Sequence, residues 1–257
     1  MRWPFFFFAL VLWLLVFANS AQGENLSDVQ SALAAGHFEQ AVQAGQEIGT
    51  PGALATAAEA LNAKLMLGLA RHGKKTAKQA MKLAEAALKL KPDHKKARLQ
   101  YAIALGFYGR HVSSFTAWRK NLPPKIWAAA ERAEAVDPDN PQIDALKGAW
   151  HLNMLIKAGS FNVEKKYGAN RDKGVAYFKK ALTRSPNDLV ILSNYLMLLY
   201  VLEPETGPDI KTQIETHILP QTPRNEIERR LQAQIRQVYE GFSDGASLAR
   251  ARAFVSQ

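Results

Sequence analysis

Ala84-Glu-Ala-Ala87-Leu88-Lys-Leu-Lys-Pro92-Asp93, Ala130-Glu-Arg-Ala133-Glu-Ala-Val-Asp-Pro138-Asp139 and Phe178-Lys-Lys-Ala181-Leu182-Thr-Arg-Ser-Pro186-Asn187 repeat one pattern with identical internal offsets. Each ends in a proline, which donates no amide hydrogen and restricts the residue before it, so each proline stops a helix. Pro92, Pro138 and Pro186 stand 46 and 48 residues apart. A helical period of this kind predicts stacked hairpins. Elsewhere in the body of the chain, apolar residues recur at steps of three and four between Gly and Pro punctuation, and no strand alternation of useful length is present. The sequence therefore predicts an all-α fold.

Between Thr76 and Leu90, at about 100° per residue, Lys75, Lys78, Lys82 and Lys89 fall within about 60° of one another. Ala77, Ala80, Ala84, Ala87 and Leu88 share the opposite side. One face packs and the other meets water. This stripe is the centre of a basic segment: residues 71–98 hold ten Lys and Arg against Glu85 and Asp93, a local net of +8.

The pattern resembles tetratricopeptide repeats (TPR). The first helix of such a repeat is similar to the run through Leu67-Gly68, with a small residue where the two helices cross. Ala102 and Gly148 stand ten residues after Pro92 and Pro138. The tight turn and second helix resemble Gly36-His37-Phe38-Glu39-Gln40-Ala41, and Ala80, Ala87 and Pro92 complete a second repeat. The third and fourth repeats exceed the 34-residue period by about 12 and 14 residues. The excess is placed after Gly109, through Trp118 and Pro123-Pro124, and around Gly159 to Arg171. The insertions and the Asp-Pro stop also resemble, more faintly, the helical-repeat domains of the regulator of microtubule dynamics family, from which no function is carried over.

The resemblance covers roughly residues 28–200 and implies an α-solenoid, as a single domain over 24–257. In that family the first helices line a groove. By position the lining becomes Leu65, Leu69, Leu99, Ile103, Ala149, Met197 and Tyr200, apolar enough for a peptide or an amphipathic helix. Beyond Tyr200, residues 203–208 read as a loop and Thr222-Pro223 as a helix start. Ile227, Leu231, Ile235, Val238 and Phe242 form a seam that caps the open end of the solenoid, and Ser243-Asp244-Gly245 breaks it before a last short helix.

At the other end, Arg2 precedes an unbroken apolar run of thirteen residues from Phe5 to Phe17, followed by small and polar residues. A spanning helix needs about 20 apolar residues, so the run reads as a signal peptide over 1–20, cleaved after Ser20 or after Gly23. An uncleaved inner-membrane anchor is the alternative, because Trp3 to Ala18 can span a thinned bilayer. Either way the body is exported. Without Arg2 the chain carries 32 basic and 23 acidic residues, a net of +9, and no cysteine. That excludes a disulfide framework, a thiol nucleophile and a Cys-based zinc site, and it favours a bacterial periplasm over a disulfide-forming secretory lumen. Export directs the basic patch toward anionic lipid or an acidic partner rather than nucleic acid.

Other motifs carry little chemistry. Gly68-Leu-Ala-Arg-His-Gly73-Lys74-Lys75-Thr76 is one residue off a phosphate-binding loop, with Lys75 where the hydroxyl must stand and no strand before it. The six histidines include no pair spaced to share a metal on one helix face. His111, Ser113 and Ser114 lack the glycine elbow of a serine nucleophile. Asp137-Pro-Asp139-Asn140 lacks the glycine and terminal glutamate of a calcium loop and reads as a turn before a helix. No cofactor motif is found. The first insertion is rich in aromatic and basic residues, with Tyr108, Arg110, Trp118 and Arg119 as binding candidates beside Phe107, Phe115 and Trp127. With Lys165 to Arg171 of the second insertion they are expected to edge a groove.

Two functional expectations follow. The first is a noncatalytic adaptor or assembly factor of the cell envelope that binds a protein or peptide in its groove. The second is a lipid or small-molecule binding protein in which the C-terminal helix closes that groove into a pocket.

Overall fold

The computed structural model describes residues 26–158 and 160–257; the expected leader, its two cleavage positions and its anchor alternative lie outside them. All regular structure among the described residues is helical. The elements are α1 (26–34), α2 (Phe38–Ile48), α3 (Pro51–Met66), α4 (Gly73–Leu90), α5 (Lys95–Arg110), α6 (Ser114–Arg119), α7 (Leu122–Glu134), α8 (Pro141–Ala158), α9 (Ser160–Tyr167), α10 (Arg171–Arg184), α11 (Leu189–Leu202), a 3₁₀ turn (Pro204–Thr206), α12 (Gly207–His217), α13 (Glu226–Asp244) and α14 (Ser247–Ser256).

Pro92, Pro138 and Pro186 fall in the turns after α4, α7 and α10. New helices start on side-chain caps that satisfy free amides at the first turn. Asp188 Oδ1 accepts from the amides of Val190 at 2.9 Å and Ile191 at 3.0 Å, and Asn170 Oδ1 from those of Asp172 at 2.8 Å and Lys173 at 3.1 Å. Two boundaries differ from expectation. Pro123 and Pro124 belong to the first turn of α7 rather than to the insertion, because a first-turn residue has no intrahelical amide bond to lose. The helix expected at Thr222-Pro223 begins at Glu226, where Asn225 Oδ1 caps the Glu228 amide at 2.9 Å.

The long helices form two rows. In the inner row α3, α5, α8 and α11 each touch the next, while α2, α4, α7 and α10 pack outside them. The extra residues of the two longer units build α6, which packs on α7, and α9, which packs on α8. On α4 the alanines at 77, 80, 84 and 87 are fully buried, and Lys75, Lys78, Lys82 and Lys89 are exposed. Close approach of the rows depends on missing side chains. At the α8–α10 crossing, a Cβ on Gly148 would lie 2.7 Å from Phe178 Cδ2 and 2.9 Å from the Gly174 carbonyl oxygen. Gly68 is not a crossing residue: it sits in the turn after α3 at φ +67°, a left-handed position that suits glycine.

The C-terminal seam does more than cover one end. Leu231, Ile235 and Val238 of α13 are buried with Phe254 and Val255 of α14 in one core that also holds Val29, Leu33, Phe38 and Leu67 from the start of the domain. Gln234 Nε2 donates to the Leu67 carbonyl at 2.9 Å, the Glu226 side chain lies against Gly36, and Gln257 lies against Gly68. The two ends of the helical array are thus joined. Gly148→Ala is expected to lower stability by about 1–3 kcal/mol through overpacking. Gly106→Ala is expected to raise it by about 0.5–1 kcal/mol, since its new methyl meets nothing nearer than Leu146 at 4.0 Å. Urea unfolding of the two variants checks both signs.

Candidate functional site

The inner row and the start of α13 line a partly open cavity of about 380 Å³. Its middle is apolar, formed by Ile103, Ile126, Leu146, Ala149, Ile191 and Ile227. Two of its polar residues, Gln100 and Arg110 of α5, stand about 15 Å apart, because ten residues of helix separate them.

At the Gln100 end, Asn62 is only 4% exposed, and its Nδ2 donates to the Gln100 carbonyl and to Gln100 Oε1, each at 2.9 Å. Asn62 Oδ1 is buried without a partner. Glu228 is engaged by Arg224, whose Nε lies at 2.8 Å. The Arg110 end is different. Lys157 Nζ donates to the carbonyl oxygens of Gly109, Arg110 and Val112 at 2.8, 3.0 and 2.8 Å, so its three protons cap the end of α5. Arg110 stacks over the Phe107 ring at 5.0 Å and makes one hydrogen bond, from Nη1 to the Gln257 carbonyl at 3.1 Å. No Asp or Glu side chain of the described residues pairs with either cation, and the main-chain oxygen that Arg110 meets is that of Gln257, the last residue of the sequence. Burial pushes the Arg110 guanidinium down to about 10, and burial followed by the Arg110 charge pushes Lys157 down. Burial, then Arg110 and Lys157, also depress His111. This end of the cavity carries two cations and no Asp or Glu side chain among the described residues that pairs with them.

Two of the seven expected groove residues, Ile103 and Ala149, line the cavity. Leu65, Leu99, Met197 and Tyr200 do not; they are buried between helices, with Tyr200 Oη 2.7 Å from Ser247 Oγ. Leu69 is 41% exposed in the turn after α3. The reason is helical phase. Helices α3 and α11 are apolar around most of their circumference, so position in a repeat does not say which apolar face is inward. The four insertion candidates are dispersed as well. Tyr108 is buried and accepts from Lys120 Nζ at 2.9 Å, Arg110 reaches the cavity, and Trp118 and Arg119 are exposed on α6. Sequence reasoning missed Asn62, Gln100 and Asn194, although each is a polar residue on a mostly apolar helix. Ser113 serves as the cap of α6, accepting from the Thr116 amide at 3.2 Å, and His111 packs against Gly73.

Trp150 lies between this cavity and a second, more open cleft of about 730 Å³, and lines both. The cleft is walled by Trp127, Trp150, His151, Tyr167 and Tyr177. His151 Nδ1 accepts from the Asn170 amide at 3.1 Å. Burial, then the Lys173 charge, lowers its pKa to about 4. No protein-family model matches the chain, and no curated protein matches it.

The histidine gives a pH test. Because the folded pKa lies below the unfolded value, the unfolded chain binds more protons between about pH 6.5 and 4. The stability that neutral His151 contributes is therefore complete above pH 6.5 and is lost as pH falls toward 4, by on the order of 2 kcal/mol. His94 and His111, also depressed, add to the same slope. Urea midpoints measured at pH 7, 6 and 5 should fall steadily, and less steeply in His151→Asn.

Proposed function

We propose that this chain is an exported, noncatalytic, TPR-like protein of the cell envelope that holds an anionic amphiphile, such as a fatty acid, in its central cavity. The observation that carries the reading is the combination of an apolar cavity with an Arg110 guanidinium at one end that no Asp or Glu side chain of the described residues pairs. A buried charge is costly unless it is paired, so an anionic head is the complement of Arg110 and an alkyl tail the complement of the chamber. About 380 Å³ holds roughly a dozen water-sized groups, the scale of a medium-length chain. The exposed lysines on α4 supply contact with an anionic membrane surface from which such a ligand is drawn.

The adaptor reading draws less support from its groove, because Leu65, Leu99, Met197 and Tyr200 of the expected lining are packed in the core. It keeps one supporting observation: Phe115 and Trp118 of α6 are 66% and 57% exposed and lie next to each other, with ring centroids 6.0 Å apart. Paired exposed aromatics of this kind suit a protein contact.

Calorimetric titration with decanoate and with decanol tests the reading. Wild type should bind both. Arg110→Met should weaken decanoate about 10- to 100-fold, the value of a charge-assisted hydrogen bond, and leave decanol unchanged. Ala149→Phe should block both ligands by filling the chamber. Failure of the wild-type protein to bind either ligand would contradict the proposal.

A further inference from the structure

The second cleft has a chemistry of its own. Its rings meet edge to face or tilted: Trp127 to Trp150 at 5.1 Å and 57°, Trp127 to Tyr177 at 6.0 Å and 71°, and Trp150 to His151 at 5.0 Å and 80°. His151 stacks on Tyr177 at 5.8 Å and 19°. Such walls present ring edges and faces to a planar guest.

Three lysines line the same cleft, and no acidic residue does. Lys180 is already neutralised by Asp144 at 2.8 Å. Lys166 and Lys173 have no carboxylate within ion-pair distance among the described residues, although Lys166 lies over the rings of Trp118 at 5.6 Å and Tyr167 at 5.3 Å. Lys173 is near enough to His151 for its charge to act on the imidazole.

His151 supplies the second, independent sign of a ligand. It is 3% exposed, and its Nδ1 is occupied as an acceptor by the Asn170 amide, so the ring proton of the neutral form sits on Nε2. That N–H has no acceptor among the described residues. Buried donors are almost always paired, so this one asks for an acceptor from outside the chain.

We propose that the cleft between α7, α8 and α10 is a second binding site, for a planar aromatic carboxylate. Its ring lies against Trp127 and Tyr177, one carboxylate oxygen accepts the His151 Nε2 proton, and the Lys173 ammonium balances the charge. One directed neutral donor, with the Lys173 ammonium beside it and the Lys166 ammonium held over the rings of Trp118 and Tyr167, suits a carboxylate; a phosphate would call for more directed donors than converge here. This site does not depend on the reading of the central cavity, because it shares only the Trp150 partition with it.

The test uses the whole protein with naphthalene-2-carboxylate and its uncharged isostere naphthalene-2-carboxamide, followed by calorimetry and by quenching of tryptophan fluorescence. The carboxylate should bind at least tenfold more tightly than the amide, and decanoate should not displace it. His151→Asn keeps an oxygen to accept from the Asn170 amide but removes the Nε2 proton, and should weaken the carboxylate about 5- to 10-fold. Lys173→Gln, on an exposed side chain that can be changed without disturbing the core, should do the same and leave amide binding unmoved, whereas His151→Asn should also weaken the amide, whose carbonyl oxygen accepts the same proton. If His151→Asn unfolds, Lys173→Gln decides alone. Equal binding of the two compounds, no binding, or displacement by decanoate together with loss in Arg110→Met would overturn the proposal.

Discussion

The packing of α13 and α14 against the first helices of the domain is the constraint on which the rest of the structure depends. A row of helical hairpins leaves an apolar face bare at each end. Here one buried core holds Leu231, Ile235, Val238 and Phe254 together with Val29, Phe38 and Leu67, so the two bare ends are covered by each other. Closure also deepens the inner surface of the array into a partly open cavity, because Arg224, just before α13, and Ile227 and Glu228 of its first turn stand in the wall. The hydrogen bond from Arg110 to Gln257 ties the charged end of that cavity to the end of α14.

Local features of this architecture were legible in the sequence. The three proline stops, the alanine face of α4 opposite its lysines, the small residue at Gly148 and the two insertions follow from propensity and periodicity, which act over a few residues. Closure does not. The Gln234–Leu67 contact joins residues 167 apart, and a repeat period carries no information on how far the array curves before it meets itself. The site was half legible for a related reason. Amphipathic helices announce their inward face, whereas α11, Leu189-Val-Ile-Leu-Ser-Asn-Tyr-Leu-Met-Leu-Leu-Tyr-Val-Leu202, is apolar nearly all round. On such a helix the polar residue is the better guide: Asn194 on α11 and Asn62 on α3 face the cavity, while Met197, Tyr200 and Leu65 fill the core.

Both concavities follow one electrostatic logic on either side of Trp150. Carboxylates close to cations elsewhere in the fold, as Asp144 does with Lys180 and Arg184 and Glu226 with Arg229 and Arg230, use up positive charge in structure. Arg110, Lys166 and Lys173 have no Asp or Glu side-chain partner among the described residues, and each borders a cavity with aromatic or aliphatic walls. Cations without Asp or Glu partners beside apolar walls are the arrangement on which both proposals rest, an alkyl anion in the central cavity and a flat aromatic anion in the more open cleft.

The most direct test of closure is the distance between spin labels placed at Leu69→Cys and Ser256→Cys, both exposed and in a chain that has no cysteine of its own. Because Gln257 lies against Gly68, the account predicts a single short and narrow distance distribution by pulsed electron resonance. A broad or long distribution would mean that the ends of the array are apart and that the central claim is wrong.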